Sequence, residues 1–164
     1  PYPVGNCWLV QDVYMALSAD EEIGTIALID PAKQVILAQK DEAVVKAGIT
    51  SSAKYSGEGT IALTHYAPNE LRYKFSSKEN QLALFSEIYY PAGWRATIDG
   101  VQADILRADY AFRALAVPAG EHEIVFRFDP QSFHTGATIS RVTSAILWLA
   151  LLGVIGVAVV RRKK

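Results

Sequence analysis

The sequence predicts a mainly β fold: an antiparallel β-sandwich or jelly-roll-like domain, with a small α/β lead-in before it and one transmembrane helix after it. Three observations predict this. Most of residues 57–128 alternates apolar and polar side chains with period two, the pattern of half-buried strands. Turn residues interrupt that pattern at short intervals, as in sandwiches and jelly rolls. Finally, residues 142–160 read VTSAILWLALLGVIGVAVV, nineteen residues without a charge. A chain of 164 residues is long enough for one real core and an appendage.

The lead-in spans residues 1–50. Cys7–Met15 reads as a strand, and Ser18-Ala19-Asp20-Glu21 matches a capping box with Ser18 as N-cap. Ile23, Ile26 and Ala27 then form a short apolar stripe, ended by Asp30-Pro31. Gln34–Gln39 reads as another strand and Asp41–Gly48 as a helical turn or loop. The stretch SSAKYSGEG, residues 51–59, is the candidate linker to the sandwich of residues 51–138. In the sandwich, Leu71, Tyr73 and Phe75 alternate with Arg72 and Lys74. Trp94, Ala96 and Ile98 alternate with Arg95, Thr97 and Asp99, and Ile124, Phe126 and Phe128 with Glu123, Val125 and Arg127. Gly57–Tyr66, Gln81–Tyr90, Val101–Leu106 and Ala111–Val117 supply the remaining strands. Ala67-Pro68-Asn69, Pro91-Ala92-Gly93, Asp99-Gly100 and Pro118-Ala119-Gly120 supply turns. Asp99-Gly100 is the strongest hairpin signal, because a type I′ turn needs positive φ at both central residues.

The apolar stretch, as a helix, would be about 28 Å long, close to the thickness of a bilayer's hydrocarbon core. A buried core helix rarely runs so far without a polar face. All seventeen Asp and Glu precede residue 130, whereas the chain closes on Arg161, Arg162, Lys163 and Lys164. These four outweigh the single Arg141 on the other flank. By the positive-inside rule, residues 161–164 form a basic cytoplasmic tip and residues 1–141 lie outside the cytoplasmic membrane. The lipid bilayer is therefore the first expected partner. Gly153 and Gly156 do not make a GxxxG dimerisation motif. The segment before the span, FDPQSFHTGATIS, holds no sortase motif, and the RRKK ending does not fit a lipid-anchor signal. The N-terminal PYPVGNCW offers no export signal, so an exported body implies a fragment of a larger membrane protein with its export signals upstream.

Little in the composition points to catalysis. One cysteine excludes an internal disulfide framework and a cysteine-based zinc cluster. The near-neutral net charge of −1 argues against nucleic acid as a partner. His65, His122 and His134 are far apart and in no metal spacing, so neither a metal nor a cofactor is expected. No HExxH, GxSxG, P-loop or GxGxxG motif occurs. Asp20, Glu21 and Glu22 sit where a helix's first turn favours acids in any case. The one cluster that suggests binding is Glu87-Ile88-Tyr89-Tyr90-Pro91-Ala92-Gly93-Trp94-Arg95. Aromatic rings beside charged groups can stack on sugar C–H faces and hydrogen-bond hydroxyls, which makes Tyr89, Tyr90, Trp94 and Arg95 the candidate glycan contacts. The alternative is that Trp94 and one Tyr face the core. Arg107, Tyr110 and Arg113 are candidates for the same face.

The run FSEIYYPAGWRATIDGVQADILRADYAFRALAVPAGEHEIVFRFDP resembles the C-terminal region of YfhO-type bacterial membrane proteins. GNCWLVQDV and GTIALTHYAPNELRYKFSS share the resemblance, which extends from about Gly5 through the final helix. Its motifs are YYPxGW, IDG and VPAGxHxxxFxF. The resemblance implies a multi-pass protein of the lipid-linked-sugar glycosyltransferase type, in the style of a Bacteroidetes homologue, with an envelope glycan as acceptor. The catalytic acids of that superfamily lie in a first extracytoplasmic loop that has no counterpart here, so no catalytic residue carries over. The expected role is a non-catalytic extracytoplasmic module whose partners are the rest of the parent protein and an envelope glycan. The competing reading is a single-pass anchored binding or adhesion module with no enzyme attached. A self-contained envelope hydrolase would need a converging pair of carboxylates.

Overall fold

The computed structural model describes residues 5–50 and 53–162. Ser51 and Ser52 of the expected linker, and Lys163 and Lys164 of the basic tip, lie outside the described residues. The body is mainly β, as expected, and consists of two sheets. The first has the order β1-β6-β10-β9-β3-β2, built from Cys7–Val10, Gln81–Phe85, Phe112–Val117, Leu106–Ala108, Gln34–Ala38 and Asp12–Ala16. The second has the order β4-β5-β11-β7-β8, built from Thr60–Ala67, Glu70–Ser77, Gly120–Phe128, Trp94–Ile98 and Val101–Ala103. The chain up to Phe128 forms one compact unit, and residues from Asp129 onward form a second.

The stretch expected as a single strand over Cys7–Met15 divides at Gln11 into β1 and β2. β1 pairs antiparallel with β6, and β2 pairs parallel with β3. These two strands stand at opposite ends of the six-strand order, yet one residue joins them. The sheet must therefore curl until its edges meet. Val10, Val13, Val35, Leu37, Leu82, Leu84, Leu106, Ala108 and Ala114 make one core with Val44 of α2 (Glu42–Lys46). On the other face, Phe85, Leu115 and Val117 pack against Leu71, Tyr73, Phe75, Ile124 and Phe126 of the five-stranded sheet. With both faces of β6 covered, all five of its residues are buried, so it shows no alternation.

The parallel β2–β3 pair departs from a purely antiparallel sandwich. A parallel pair needs a crossover, and α1 (Ala19–Ile26) supplies it. Ser18 caps α1 as expected, its hydroxyl accepting from Glu21 N at 3.2 Å. Glu21 accepts from Leu17 N (2.8 Å) and from the Tyr14 hydroxyl (2.7 Å). The apolar stripe, however, faces out: Ile23 and Ile26 are exposed, and the residue α1 buries is Glu22. At the other end of the body, Asp99 and Gly100 take φ of 50° and 81°, and Ile98 pairs with Val101. That is the positive-φ hairpin expected there.

α3 runs over Gln131–Arg162, so the helix begins eleven residues before the expected start of the span at Val142. Nothing after Pro130 breaks it, and Pro130 itself sits just outside its start, where the ring is tolerated. Thr135–Gly153 is long and apolar enough to cross a membrane, and none of it is buried. Ile139, Val142, Ile146, Leu147, Trp148, Leu149, Leu151 and Leu152 are exposed on every side of the helix. In water such a surface has no partner; in hydrocarbon it needs none.

Candidate functional site

Strand β7 begins at Trp94, and the loop before it brings up Tyr90: Gly93 N and Trp94 N both donate to Tyr90 O, at 3.2 and 3.1 Å. Strand β11 ends opposite, in register Phe128↔Trp94. Phe128 N then donates to Asn69 O in the β4–β5 turn (2.9 Å). The result is an aromatic edge. Tyr90 stacks on Phe128 with ring centroids 6.3 Å apart, and Trp94 meets the same ring edge-on at 5.3 Å. Gly93 makes this possible, because a Cβ there would fall 2.2 Å from Phe128 Cε2.

Arg113 lies beneath Trp94. It points into the space between the sheets, on the same face of β10 as Leu115 and Val117, and is 2% exposed. Its Cζ sits 4.2 Å from the Trp94 ring centroid and 5.4 Å from that of Phe126. Nε donates to Ile88 O at 2.7 Å, while Nη1 and the nearby Tyr73 hydroxyl have no hydrogen-bond partner among the described residues. Burial pulls the guanidinium below its ordinary value, opposed by the charge of Glu87, and pushes the Tyr73 phenol well up.

The four expected contacts are not one cluster. Tyr90 and Trp94 meet at the aromatic edge. Arg95 follows Trp94 in a strand and so projects from the opposite face of the sheet, beside its cross-strand neighbour Arg127. Tyr89 is half-buried and tied by its N–H to Ala111 O (2.7 Å); its hydroxyl is raised chiefly by burial and then by Asp41. Arg107 stands opposite Arg113 in the β9–β10 register, and its contacts run to Tyr110. Arg107 Nη1 donates to Tyr110 O (3.0 Å), and its Cζ sits 5.5 Å over the Tyr110 ring.

A second polar cluster was invisible in the sequence. Glu22, fully buried on α1, accepts from Tyr110 N at 2.7 Å through Oε1. Its Oε2 lies 2.9 Å from Arg107 Nη2, within ion-pair distance though off line for a hydrogen bond. Asp109, one residue before, accepts from Ile36 N (2.8 Å) and donates its own N–H to Ile36 O (2.9 Å). Burial first, and Glu22 after it, push the Asp109 carboxyl up to about 6. The partners are 73 to 88 residues apart, so no local spacing could have shown them. Asp99 and His122 make a third pair, 2.5 Å apart, which lowers the carboxyl and raises the imidazole. Among the described residues no three His, Cys, Asp or Glu side chains converge to hold a metal ion.

Residues 44–140 match the family model described as bacterial membrane protein YfhO. The chain belongs to the YfhO family. The match runs from α2 through the whole five-stranded sheet, the aromatic edge and the start of α3. It accords with an apolar helix whose exposed surface suits lipid, and so with a membrane-associated protein. No curated protein and no solved structure matches this YfhO-family chain.

Proposed function

We propose that this YfhO-family chain is a non-catalytic extracytoplasmic module of a larger integral membrane protein, which offers its aromatic edge to an envelope glycan. The observation that carries the reading is the Tyr90–Phe128–Trp94 edge. It joins three rings over a buried guanidinium, and Tyr90 is 51% exposed. Ring faces of this kind stack on sugars, and the rim supplies polar groups. Arg161 and Arg162 end α3 against one Arg141 earlier in it, a bias that supports an outside location for the body. The link to a lipid-linked-sugar glycosyltransferase rests on the family resemblance alone.

The test is binding of the full chain, in detergent, to an array of bacterial envelope glycans, beside a Tyr90→Ala variant. Saturable binding weakened about five- to tenfold by the variant is the expected result, the size of one lost ring contact. Binding indifferent to Tyr90, or absent to envelope glycans altogether, would overturn the glycan role of this edge.

A further inference from the structure

The strands of the five-stranded sheet run between two ends of unlike chemistry. Strand β5 passes from Glu70 at one end to Ser77 at the other, and β11 returns from Gly120 to Phe128. At the Phe128 end the β4–β5 turn, the β6–β7 loop and the end of β11 meet. Exposed there are Tyr66 (69%), Ile88 (64%), Tyr90 (51%) and Phe128 (36%). Phe128 N bonds to Asn69 O, Tyr90 stacks on Phe128, and Ile88 O is held by Arg113 beneath Trp94, so these four side chains share one pole. The far pole is polar. Its cleft is lined by Ser56, Glu58, Ser77, Lys78, Glu79 and Glu121, and Val101 is exposed near its turns.

The aromatic pole is also the one the chain leaves by. Phe128 is the last residue of the body, and Thr135 begins the apolar stretch of α3. Seven residues span at most about 25 Å even fully extended. Counting from Val142 instead adds helical residues that rise only about 1.5 Å each. The chain's own tether is short enough for the aromatic pole to reach a bilayer that α3 crosses. Tyr and Trp side chains favour the headgroup level of a membrane, with an apolar body in the acyl boundary and a polar tip in water. Arg95 completes the set. It is exposed, makes no ion pair among the described residues, and neighbours Arg127 at this same end of the sheet. A long cation beside interfacial rings suits lipid phosphate.

We infer that the Tyr66–Ile88–Tyr90–Phe128 pole is a membrane-seating surface that rests on the lipid headgroup region of the bilayer that α3 enters. This goes beyond the glycan reading and does not depend on it: a seated body still presents the flank of Tyr90 and Trp94 to a saccharide at the membrane surface.

The test places nitroxide labels at two exposed positions of the full chain, Ile88→Cys and Lys78→Cys, reconstituted in vesicles of phosphatidylcholine and phosphatidylglycerol. Cys7 is buried with its thiol pushed up to about 11, so it stays unlabelled in the folded protein. Collisions with oxygen report lipid and collisions with a soluble nickel chelate report water. The expected result is an oxygen preference at residue 88 and a nickel preference at residue 78, each in protein whose circular dichroism matches the parent. Equal, water-like accessibility at both positions would overturn the seating surface, and leave the glycan array result standing either way. Protection of residue 88 only on adding an envelope glycan, with no oxygen preference before, would assign the pole to the glycan and also overturn it.

Discussion

Asp109 is a partly buried carboxylate that desolvation raises above its ordinary value, and replacing it by its neutral isostere should strengthen the fold. It occupies the left-handed region at φ 47°, followed by Tyr110 at 68°, in the turn between β9 and β10. Its Oδ1 accepts from Ile36 N and its N–H donates to Ile36 O, so the turn is stitched to β3. The carboxyl rises from 3.8 to about 6 through burial, with a further push from Glu22 and an opposing pull from the Ile36 hydrogen bond. A rise of that size corresponds to about 3 kcal/mol of penalty on the charged form at neutral pH. Asn keeps the acceptor oxygen and tolerates left-handed φ, but carries no charge to desolvate. Asp109→Asn should therefore raise stability at pH 7.5 by about 1–3 kcal/mol, several degrees in Tm for a body of this size. The pH dependence has a definite sign. Between 3.8 and about 6 the folded carboxyl binds more protons than the unfolded one, so stability falls as pH rises through that window and then levels off. The variant should lose that slope. Urea unfolding of the detergent-solubilised chain, followed by tryptophan fluorescence in a Trp148→Phe background, measures both effects. A variant less stable than its parent at pH 7.5, or one that keeps the parent's slope between pH 4 and 6, would refute the reasoning.

Glu22→Ala removes the acceptor of Tyr110 N and leaves Arg107 without its carboxylate. Unfolding free energy should drop by about 2–4 kcal/mol, with Glu22→Gln milder because it keeps the acceptor. The His122–Asp99 contact raises the imidazole, so its contribution is full below the unfolded histidine value and fades as pH rises through the raised one. An Asp99→Asn variant, which keeps the turn, should flatten the pH dependence of stability above about pH 6.5 when followed by the same unfolding curves. Gly93→Ala drives a Cβ into the Phe128 ring and should cost about 1–3 kcal/mol, with near-ultraviolet circular dichroism of the aromatic edge changed.

What could be read in advance followed from local chemistry. Leu71, Tyr73 and Phe75 alternate in sequence and are all buried; Ile124 and Phe126 do the same across from them. The Asp99-Gly100 turn and the Ser18 cap depend on a few adjacent residues and appear where expected. The rest depended on partners far away. Val101–Leu106 splits into β8 and the start of β9 because the chain changes sheets at Asp104 and Ile105, and no period within six residues marks a change of sheet. α1 buries Glu22 rather than Ile23 because the groups that satisfy its carboxylate arrive from the β9–β10 turn. The candidate site contained a readable signal that proximity in sequence obscured. Trp94 and Arg95 are consecutive in a strand, so period two alone sends them to opposite faces.

That alternation bears on how the aromatic edge can be interrogated. Trp94 is the natural residue to remove, yet its ring roofs a buried guanidinium that makes no ion pair among the described residues. Trp94→Ala would expose Arg113 to water and would also strip Phe128 of its edge-on partner, unfastening both sheets at once. A half-exposed tryptophan truncated in this setting should cost about 2–3 kcal/mol, somewhat less than the range for a fully buried aromatic. Loss of glycan binding in that variant would then measure unfolding as much as recognition. Tyr90 stacks on Phe128 and is itself exposed, so Tyr90→Ala separates the two effects. Unfolding curves for the two variants make the point measurable: Trp94→Ala should shift the midpoint clearly and Tyr90→Ala by less than about 1 kcal/mol. Equal shifts would mean that Tyr90, too, is part of the scaffold, and would take from the edge the one residue free to serve a ligand.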